Sequence, residues 1–357
     1  MKKVILDSDM VEGFDDGVAL LLLEKASNID LLGVTTVSGN SNVEVSIATA
    51  IKQLEIINST TPIYKGNLLG INENRYKYDF FREEENLVSK IRYSGFLTSY
   101  INSKEKIEFP DFKKVYSFFY KNECTYKNIY YPNKVDEKGI DNAVDFLINQ
   151  VNKYPNEITI LSIGPLTNIA KAIKKDPSFP SKVKEIVYMG GAFFVDGNST
   201  KNAEFNWWFD PDATKICINS KWGKEENDFN NQIIFSLETA LNTKRMPQAL
   251  YEKILKETYP EFKTLLLKSN GMVAPFNIWD VLAASYVINP SIVISWNNDN
   301  NKEKKGVYID IETELNSNYS KAFAYKEYKP KCMKAIIANK INDEFLFNKI
   351  LYPLLKQ

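Results

Sequence analysis

Hydrophobic and polar residues follow two different periods along the first 65 residues of the chain. Short apolar or β-branched runs at residues 4–6, 31–37 and 61–64 predict strands. Between them, residues 15–25 and 43–57 carry the apolar period that is typical of a helix. The resulting strand–helix–strand–helix–strand order predicts a parallel sheet that is covered on both faces by helices.

The alternation stops at about residue 72 and returns at about residue 139. The intervening segment is dense in aromatic and charged residues without a lasting period, and it predicts an inserted, lid-like region that is partly helical. The later elements are predicted as helices at 141–152, 166–174, 210–219, from about 247, at 280–287 and at the end of the chain, and as strands at 158–163, 184–189, 233–237, 307–311 and 322–325. The sequence therefore predicts one Rossmann-like α/β domain over residues 1–357. Its sheet is mostly parallel, with helices on both faces and the insertion at about 72–139.

Composition excludes several classes of protein. The 45 lysines and arginines balance the 45 aspartates and glutamates, so the chain lacks the basic excess that attracts nucleic acid or a membrane surface. The three cysteines, Cys124, Cys217 and Cys332, predict neither a disulfide framework nor a zinc site. We find no signal-peptide pattern and no apolar run of membrane-spanning length. We therefore expect a soluble, cytoplasmic protein with a small-molecule substrate, no nucleic acid and no membrane partner.

The chain contains no histidine. This excludes Ser-His-Asp and Cys-His catalysis, imidazole metal ligands and an imidazole general acid. The chemistry must use carboxylates, amides, hydroxyls, aromatic rings or a metal that is bound by oxygen.

Four aspartates lie within ten residues, between the first predicted strand and its helix: Asp7, Asp9, Asp15 and Asp16. Such a group repels itself unless a cation or a proton is shared among its members. Hard oxygen ligands suit Ca²⁺ or Mg²⁺, and ligands bind at the carboxyl ends of strands in open α/β sheets. The alternative is that Asp15 and Asp16 only cap the helix while Asp7 and Asp9 are solvated.

The start of the chain resembles that of the nucleoside hydrolase family, in which the first strand ends in Asp-x-Asp and leads to an Asp-Asp pair. Other segments resemble family segments in the same order, namely TTVSGN at 35–40, IGPLTN at 163–168, MGG at 189–191, EFN at 204–206 and WD at 279–280. The resemblance covers nearly the whole chain except roughly 72–139. It implies calcium-dependent hydrolysis of the N-glycosidic bond of ribonucleosides, with release of free base and ribose.

The resemblance also implies roles for individual residues. Ca²⁺ would be held by the side chains of Asp9, Asp16 and Asp280 and by the backbone carbonyl of Ile163. Asp9 would be the catalytic residue, accepting a proton from the attacking water, and Asp7 would orient the metal ligands from behind them. The groups placed on the ribose are Asp15, Asn40, Met189, Asn198, Glu204, Asn206 and Asp280.

Two features depart from the family pattern. Asp15 follows Asp7 by eight residues instead of the usual six, so the connecting loop is longer and lacks the common Pro-Gly, although Gly13 could supply a turn. Trp279 stands where many members carry a histidine that protonates the leaving base. A tryptophan there resembles the purine-preferring branch, in which indole rings stack on the base. Its alternative role is that of a core side chain.

Two other functions stay open at this point. A haloacid dehalogenase-type phosphohydrolase also begins with a strand that ends in Asp-x-Asp, and Val11 fits its pattern. That class does not explain the segments at 204–206 and 279–280. A non-catalytic nucleoside- or sugar-binding protein of the same fold is the second alternative. The sequence leaves the oligomeric state open, a homo-oligomer included.

Overall fold

The computed structural model describes residues 1–11, 15–72, 112–130, 142–223, 229–268, 278–297 and 303–357. Within them the strands are β1 (Lys2–Ser8), β2 (Ile29–Thr36), β3 (Ile63–Lys65), β4 (Ile129–Tyr130), β5 (Ile158–Ser162), β6 (Glu185–Met189), β7 (Gln232–Phe235), β8 (Val293–Trp296), β9 (Val307–Ile311), β10 (Ala322–Tyr325) and β11 (Lys334–Ile341). The helices of the same part are α1 (Asp15–Lys25), α2 (Val43–Ile56), α3 (Phe112–Tyr120), α4 (Asn142–Lys153), α5 (Thr167–Lys175), α6 (Phe179–Lys182), α7 (Phe205–Phe209), α8 (Pro211–Ile218), α9 (Leu237–Leu241), α10 (Gln248–Glu257), α11 (Pro260–Lys268), α12 (Asp280–Ile288), α13 (Asp343–Phe345) and α14 (Tyr352–Leu355), with a 3₁₀ turn at Pro290–Ile292 and a π-helical turn at Leu346–Leu351.

The strands form one sheet in the order β10-β9-β11-β7-β6-β5-β1-β2-β3-β4, and β8 pairs with β11. The strands from β4 to β7 are parallel to their neighbours, and β11 is parallel to β7. β8, β9 and β10 are joined in antiparallel pairs at one side. The predicted α/β class with a mostly parallel sheet is confirmed.

Helices cover the sheet because its central strands are apolar on both faces. In β1, Val4 and Leu6 enter a core with α1, α2 and α12, whereas Ile5 enters a second core with α4, α5 and α8. This alternation is the period of two that side chains follow along a strand. Among the described helices, none has the length and apolarity needed to cross a membrane.

The predicted insertion is described only in part, because residues 73–111 and 131–141 lie outside the described residues. In the described part, α3 packs against α2, with Phe112, Val115 and Tyr116 buried in the main core. β4 extends the sheet by pairing with β3. These two elements therefore belong to the body of the fold.

Candidate active site and metal centre

The predicted site residues lie near the carboxyl end of β1, where the order of the strands in the sheet changes direction. β1 lies between β2 and β5, and the chain builds the sheet outwards from this point in both directions. The parallel register places Ser8 opposite Thr36 and Asp7 opposite Ser162, so the loops that follow the three strands meet at one edge. Such a reversal opens a crevice at the carboxyl ends of the strands, which is the usual ligand site of open α/β sheets.

Three buried carboxylates could hold a metal ion at this edge. Asp15, Asp16 and Asp280 each offer an oxygen, and these atoms lie within 4.8 Å of one another. Asp15 and Asp16 begin α1, and Asp280 begins α12. The positive ends of two helix dipoles therefore converge on the cluster and offset part of its repulsion. The structure thus brings together two of the predicted metal ligands, Asp16 and Asp280, with Asp15 as the third carboxylate.

Asp15 ties the two helices together. Its Oδ2 accepts hydrogen bonds from the backbone N–H of Trp279 at 2.7 Å and of Asp280 at 2.8 Å. The N-cap residue of α12, Trp279, provides no capping bond from its own side chain. Asp15 therefore supplies the cap that α12 lacks. Its predicted contact with ribose stays a prediction, and the loop 12–14 before it lies outside the described residues.

Asp9 directly follows β1, is wholly buried, and interacts electrostatically with Asp16 and Asp280. Its Oδ2 accepts the backbone N–H of Asn40 at 2.6 Å, and its Oδ1 has no hydrogen-bond partner among the described residues. Asp16 is similar, because Ser8 Oγ donates to its Oδ1 at 2.7 Å while its Oδ2 is also unpartnered in the described part. A buried carboxylate oxygen without a partner is costly, and these two would be satisfied by a cation.

Glycine is required where the loops approach Asp9. A Cβ at Gly39 would lie 2.2 Å from Asp9 Oδ2, and one at Gly164 would lie 2.9 Å from Asp9 Oδ1. Both loops follow strands that flank β1, so their backbones close around the carboxylate from two sides. Asp9 is therefore held in a narrow space in which its orientation is fixed.

The carboxyl groups resist ionisation in this setting. The pKa of Asp9 is raised to about 7, chiefly by burial and also by the nearby charges of Glu204 and Asp7, against the lowering effect of the Asn40 N–H. Burial raises the pKa of Asp16 and of Asp280 well above the usual range for a carboxyl, with added repulsion from the neighbouring aspartates. Burial also raises the pKa of Asp15. The group can hold its negative charge only if positive charge is bound beside it.

Glu204 is the buried N-cap residue of α7 and interacts electrostatically with Asp9. Its Oε1 accepts the N–H of Asn206 at 2.8 Å, and its Oε2 accepts those of Gly191 at 3.0 Å and Trp207 at 3.1 Å. Burial raises its pKa to about 7, against the lowering effect of these bonds. The carboxylate therefore fastens the loop after β6 to the start of α7.

Asn206 joins three loops at the same place. Its Nδ2 donates to the carbonyl oxygens of Ile163 at 3.1 Å and Met189 at 3.2 Å. Ile163, the predicted backbone metal ligand, is thus in contact with the predicted ribose group. Asn198 lies nearby, with its Oδ1 accepting the N–H of Phe205 at 2.9 Å.

Trp279, the predicted base-binding residue, directly precedes Asp280 and is partly buried against the main core. Asn40 is likewise partly buried, and its described contact is the backbone bond to Asp9. Both residues adjoin the buried carboxylates, Trp279 through the chain to Asp280 and Asn40 through its bond to Asp9. Their predicted contacts with substrate stay predictions.

Sequence reasoning gave no role to the residues that hold Asp7. Asp7 Oδ1 accepts from Thr35 Oγ1 at 2.5 Å and from Asn168 Nδ2 at 2.7 Å, and Ser162 Oγ lies 3.4 Å from Oδ2. Thr35 and Asn168 lie inside segments that resemble the family. A polar side chain in an otherwise apolar segment was the available signal, but the partner 161 positions away was not visible in the sequence.

Comparison with known proteins places these features in a family. The family model described as inosine-uridine preferring nucleoside hydrolase matches residues 4–348. The inosine-uridine preferring nucleoside hydrolase of Crithidia fasciculata is 28% identical over 364 residues, which cover 99% of this chain and 97% of that protein. The probable uridine nucleosidase 1 of Oryza sativa subsp. japonica is 30% identical over 220 residues, covering 61% of this chain. That alignment spans about half of the rice protein, or 55% of its length.

A solved structure shares the fold. The purine-preferring ribonucleoside hydrolase from Gardnerella vaginalis superimposes with a TM-score of 0.67 at 21% identity, covering 99% of this chain and 98% of that one. The names of these three proteins cover uridine, inosine with uridine, and purine nucleosides. The match of the family model over nearly the whole chain shows that this protein belongs to the inosine-uridine preferring nucleoside hydrolase family.

Proposed function

We propose that this protein is a calcium-dependent hydrolase of the N-glycosidic bond of ribonucleosides, releasing free base and ribose. The observation that supports the proposal is the buried carboxylate group of Asp15, Asp16 and Asp280, with Asp9 beside it, at the point where the strand order reverses. Buried acids in a crevice with strongly raised pKa values are typical of a functional site.

The donor atoms fit a hard divalent cation. They are all oxygens, and Asp9 Oδ1 and Asp16 Oδ2 have no other partner among the described residues. We propose that Asp9, Asp16 and Asp280 hold Ca²⁺ with the carbonyl of Ile163, since carboxylate and carbonyl oxygens are its preferred ligands. When bound, the ion would supply positive charge that neutralises these carboxylates and lowers the pKa of nearby water.

The chain's own groups divide the remaining work. Asp9 would act as general base, because its carboxylate is held rigidly by Asn40 and two glycine loops and retains one unpartnered oxygen. Cleavage of a glycosidic bond passes through an oxocarbenium-like state, which anionic groups near the sugar stabilise. Glu204 and Asn206 would grip ribose hydroxyls from the opposite side of the crevice. Such grips allow binding energy away from the bond to support distortion of the ring.

We propose a preference for purine nucleosides. The chain has no histidine to protonate a departing base, and the partly buried Trp279 directly precedes Asp280. A purine offers a wide surface for stacking, which is worth about 1–3 kcal/mol per base in comparable contacts. A base held in this way could take a proton from water at N7, an atom that pyrimidines lack.

Metal analysis followed by base release tests the proposal. We expect purified protein to contain Ca²⁺, to release hypoxanthine from inosine, and to show a higher kcat/KM for inosine than for uridine. Asp9→Asn should lower kcat by about 10²–10⁴-fold, as general-base losses do. The matched control is Asp310→Asn, which alters an aspartate of β9 that is paired with Lys215 away from the site. A wild type that binds inosine without cleaving it would indicate a binding protein instead, and equal values for inosine and uridine would refute the purine preference.

A further inference from the structure

A chain of buried hydrogen bonds reaches the site from the far side of the sheet. Its central residue is Asn168, the second residue of α5, which is fully buried. The Nδ2 of Asn168 donates to Asp7 Oδ1 at 2.7 Å and to the carbonyl of Thr36 at 3.0 Å. One amide therefore connects the ends of β1 and β2, the strands that lead to Asp9 and to Asn40.

The chain continues outwards through Asn67. Asn168 Oδ1 accepts both the backbone N–H of Asn67 at 2.9 Å and its Nδ2 at 2.8 Å. At the outer end, the Nζ of Lys171 donates to Asn67 Oδ1. The four groups thus run from an ammonium through two amides to a carboxylate.

The direction of this chain is fixed by chemistry. An ammonium can only donate, so Asn67 must turn its oxygen to Lys171 and its Nδ2 to Asn168. Asn168 must then turn its own Nδ2 to Asp7, which has to accept. Hydrogen bonds that end on an ionised group are the stronger ones, and successive bonds of one direction polarise each other. The Oδ1 of Asp7 is thereby held as an acceptor in one orientation.

The loop after β3 packs closely against the Asn168 amide. A Cβ at Gly66 would lie 2.5 Å from both terminal atoms of the Asn168 amide and 2.1 Å from the Thr36 carbonyl oxygen. The bare backbone of the loop after β3 thus lies directly on the amide. Asp7 is also held through its backbone, because its carbonyl oxygen accepts the N–H of Ile163 at 2.9 Å. Asp7 is therefore bonded to both of its neighbouring strands.

We propose that Asn168 is a positioning residue which, backed by Asn67 and Lys171, fixes Asp7 and so sets the places of Asp9 and Ile163. The inference rests on the proposed function, in which these two residues hold the ion and Asp9 accepts the proton. Asp7 lies on β1, two residues before Asp9. Its backbone carbonyl accepts the N–H of Ile163 in the loop after β5. A shift of Asp7 would consequently displace a side-chain ligand and a backbone ligand together.

The test is Asn168→Asp, which keeps the shape of the side chain but replaces the donor facing Asp7 by an acceptor. We expect kcat for inosine and the Ca²⁺ affinity, measured by calorimetric titration, each to fall about 10–100-fold, as losses behind metal ligands do. KM for inosine should change little, because Asn168 contacts none of the proposed ribose groups. The matched control is Gln232→Glu, the same chemical change in a fully buried amide at the opposite, amino-terminal end of β7. It should leave kcat and Ca²⁺ affinity unchanged.

The double variant Asp7→Asn with Asn168→Asp exchanges donor and acceptor and restores a complementary pair. We expect it to bind Ca²⁺ more tightly than Asn168→Asp alone, the coupling that a double-mutant cycle detects between contacting residues. If Asn168→Asp does not fold, Lys171→Met tests the same inference, because it removes the outer end of the chain at a half-buried position. It should lower kcat while leaving KM unchanged. Unchanged kcat and Ca²⁺ affinity in Asn168→Asp, or a double variant without recovery, would overturn the inference alone. A wild type that neither binds Ca²⁺ nor cleaves inosine would overturn the proposed function with it.

Discussion

In the absence of divalent cations, the free energy of unfolding should fall as the pH rises from 5 to 8. Burial raises the pKa of Asp9 from the usual 3.8 to about 7. In the unfolded chain this carboxyl loses its proton near pH 4, whereas the folded protein retains it until about pH 7. Folding therefore binds a proton in this window, and the free energy of unfolding falls as the pH rises through it.

The difference between the two pKa values sets the magnitude. The total loss of stability from Asp9, from below pH 4 to above pH 7, is roughly 4 kcal/mol. About 2–3 kcal/mol of this loss falls between pH 5 and pH 8. Glu204, whose pKa is also raised to about 7 by burial, acts in the same direction. Asp16 and Asp280 do so as well, because burial raises their pKa values well above the usual range. A loss of this size is a large part of the stability of a typical domain.

Urea denaturation at several pH values, in EDTA and in saturating CaCl₂, measures the effect. If Ca²⁺ binds as proposed, it should keep these carboxylates ionised at every pH tested, so we expect the gap between the two conditions to widen with pH. Asp9→Asn removes one titrating group and should flatten the curve in EDTA. If the EDTA sample is equally stable at pH 5 and pH 8, or more stable at pH 8, the reasoning about these buried acids is wrong.

Three further predictions concern the crevice. Asp280→Ala should weaken Ca²⁺ binding at least about tenfold, and an unchanged titration would remove this residue from the metal site. Trp279→Ala should lower kcat/KM for inosine by roughly 5–150-fold, the equivalent of lost base stacking, with a smaller effect on uridine. Undiminished inosine turnover would show that the indole only packs. Gly39→Ala should displace Asp9, because the added Cβ would lie 2.2 Å from its Oδ2 and 2.8 Å from Pro165. We expect kcat to fall as a result. A variant with wild-type kcat would show that the loop moves without displacing the carboxylate.

The order of the main strands and helices could be read from the sequence because local patterns encode it. The predicted helix at 15–25 and the strands at 307–311 and 322–325 have the bounds seen in the structure, and the latter two pair with each other. β11 (Lys334–Ile341) was missed, although it is an interior strand of the sheet between β9 and β7. Its alanines, asparagine and lysines have low strand propensity, and its place beside β7 is determined by packing that no local pattern records.

The site divides in the same way. Asp7, Asp9 and Asp16 could be singled out because each lies at the junction of a strand or helix with a loop. The bond of Asp15 to Trp279 and Asp280 spans 264 and 265 positions, and that of Asn168 to Asp7 spans 161. Such pairs depend on how the strands are ordered in space, which a single sequence does not state.

The capping of α12 by Asp15 has a consequence for how the protein is made. The first helix of the chain emerges from the ribosome long before the segment that supplies its partner N–H groups. Until residues 278–288 have docked, the carboxyl groups of Asp9, Asp15 and Asp16 repel one another. They then lack both the N–H groups that Asp15 binds and the dipole of α12. We therefore expect metal affinity to arise late in synthesis, as a property of the assembled sheet edge. Early folding of the amino-terminal strands alone would leave the protein unable to capture its ion.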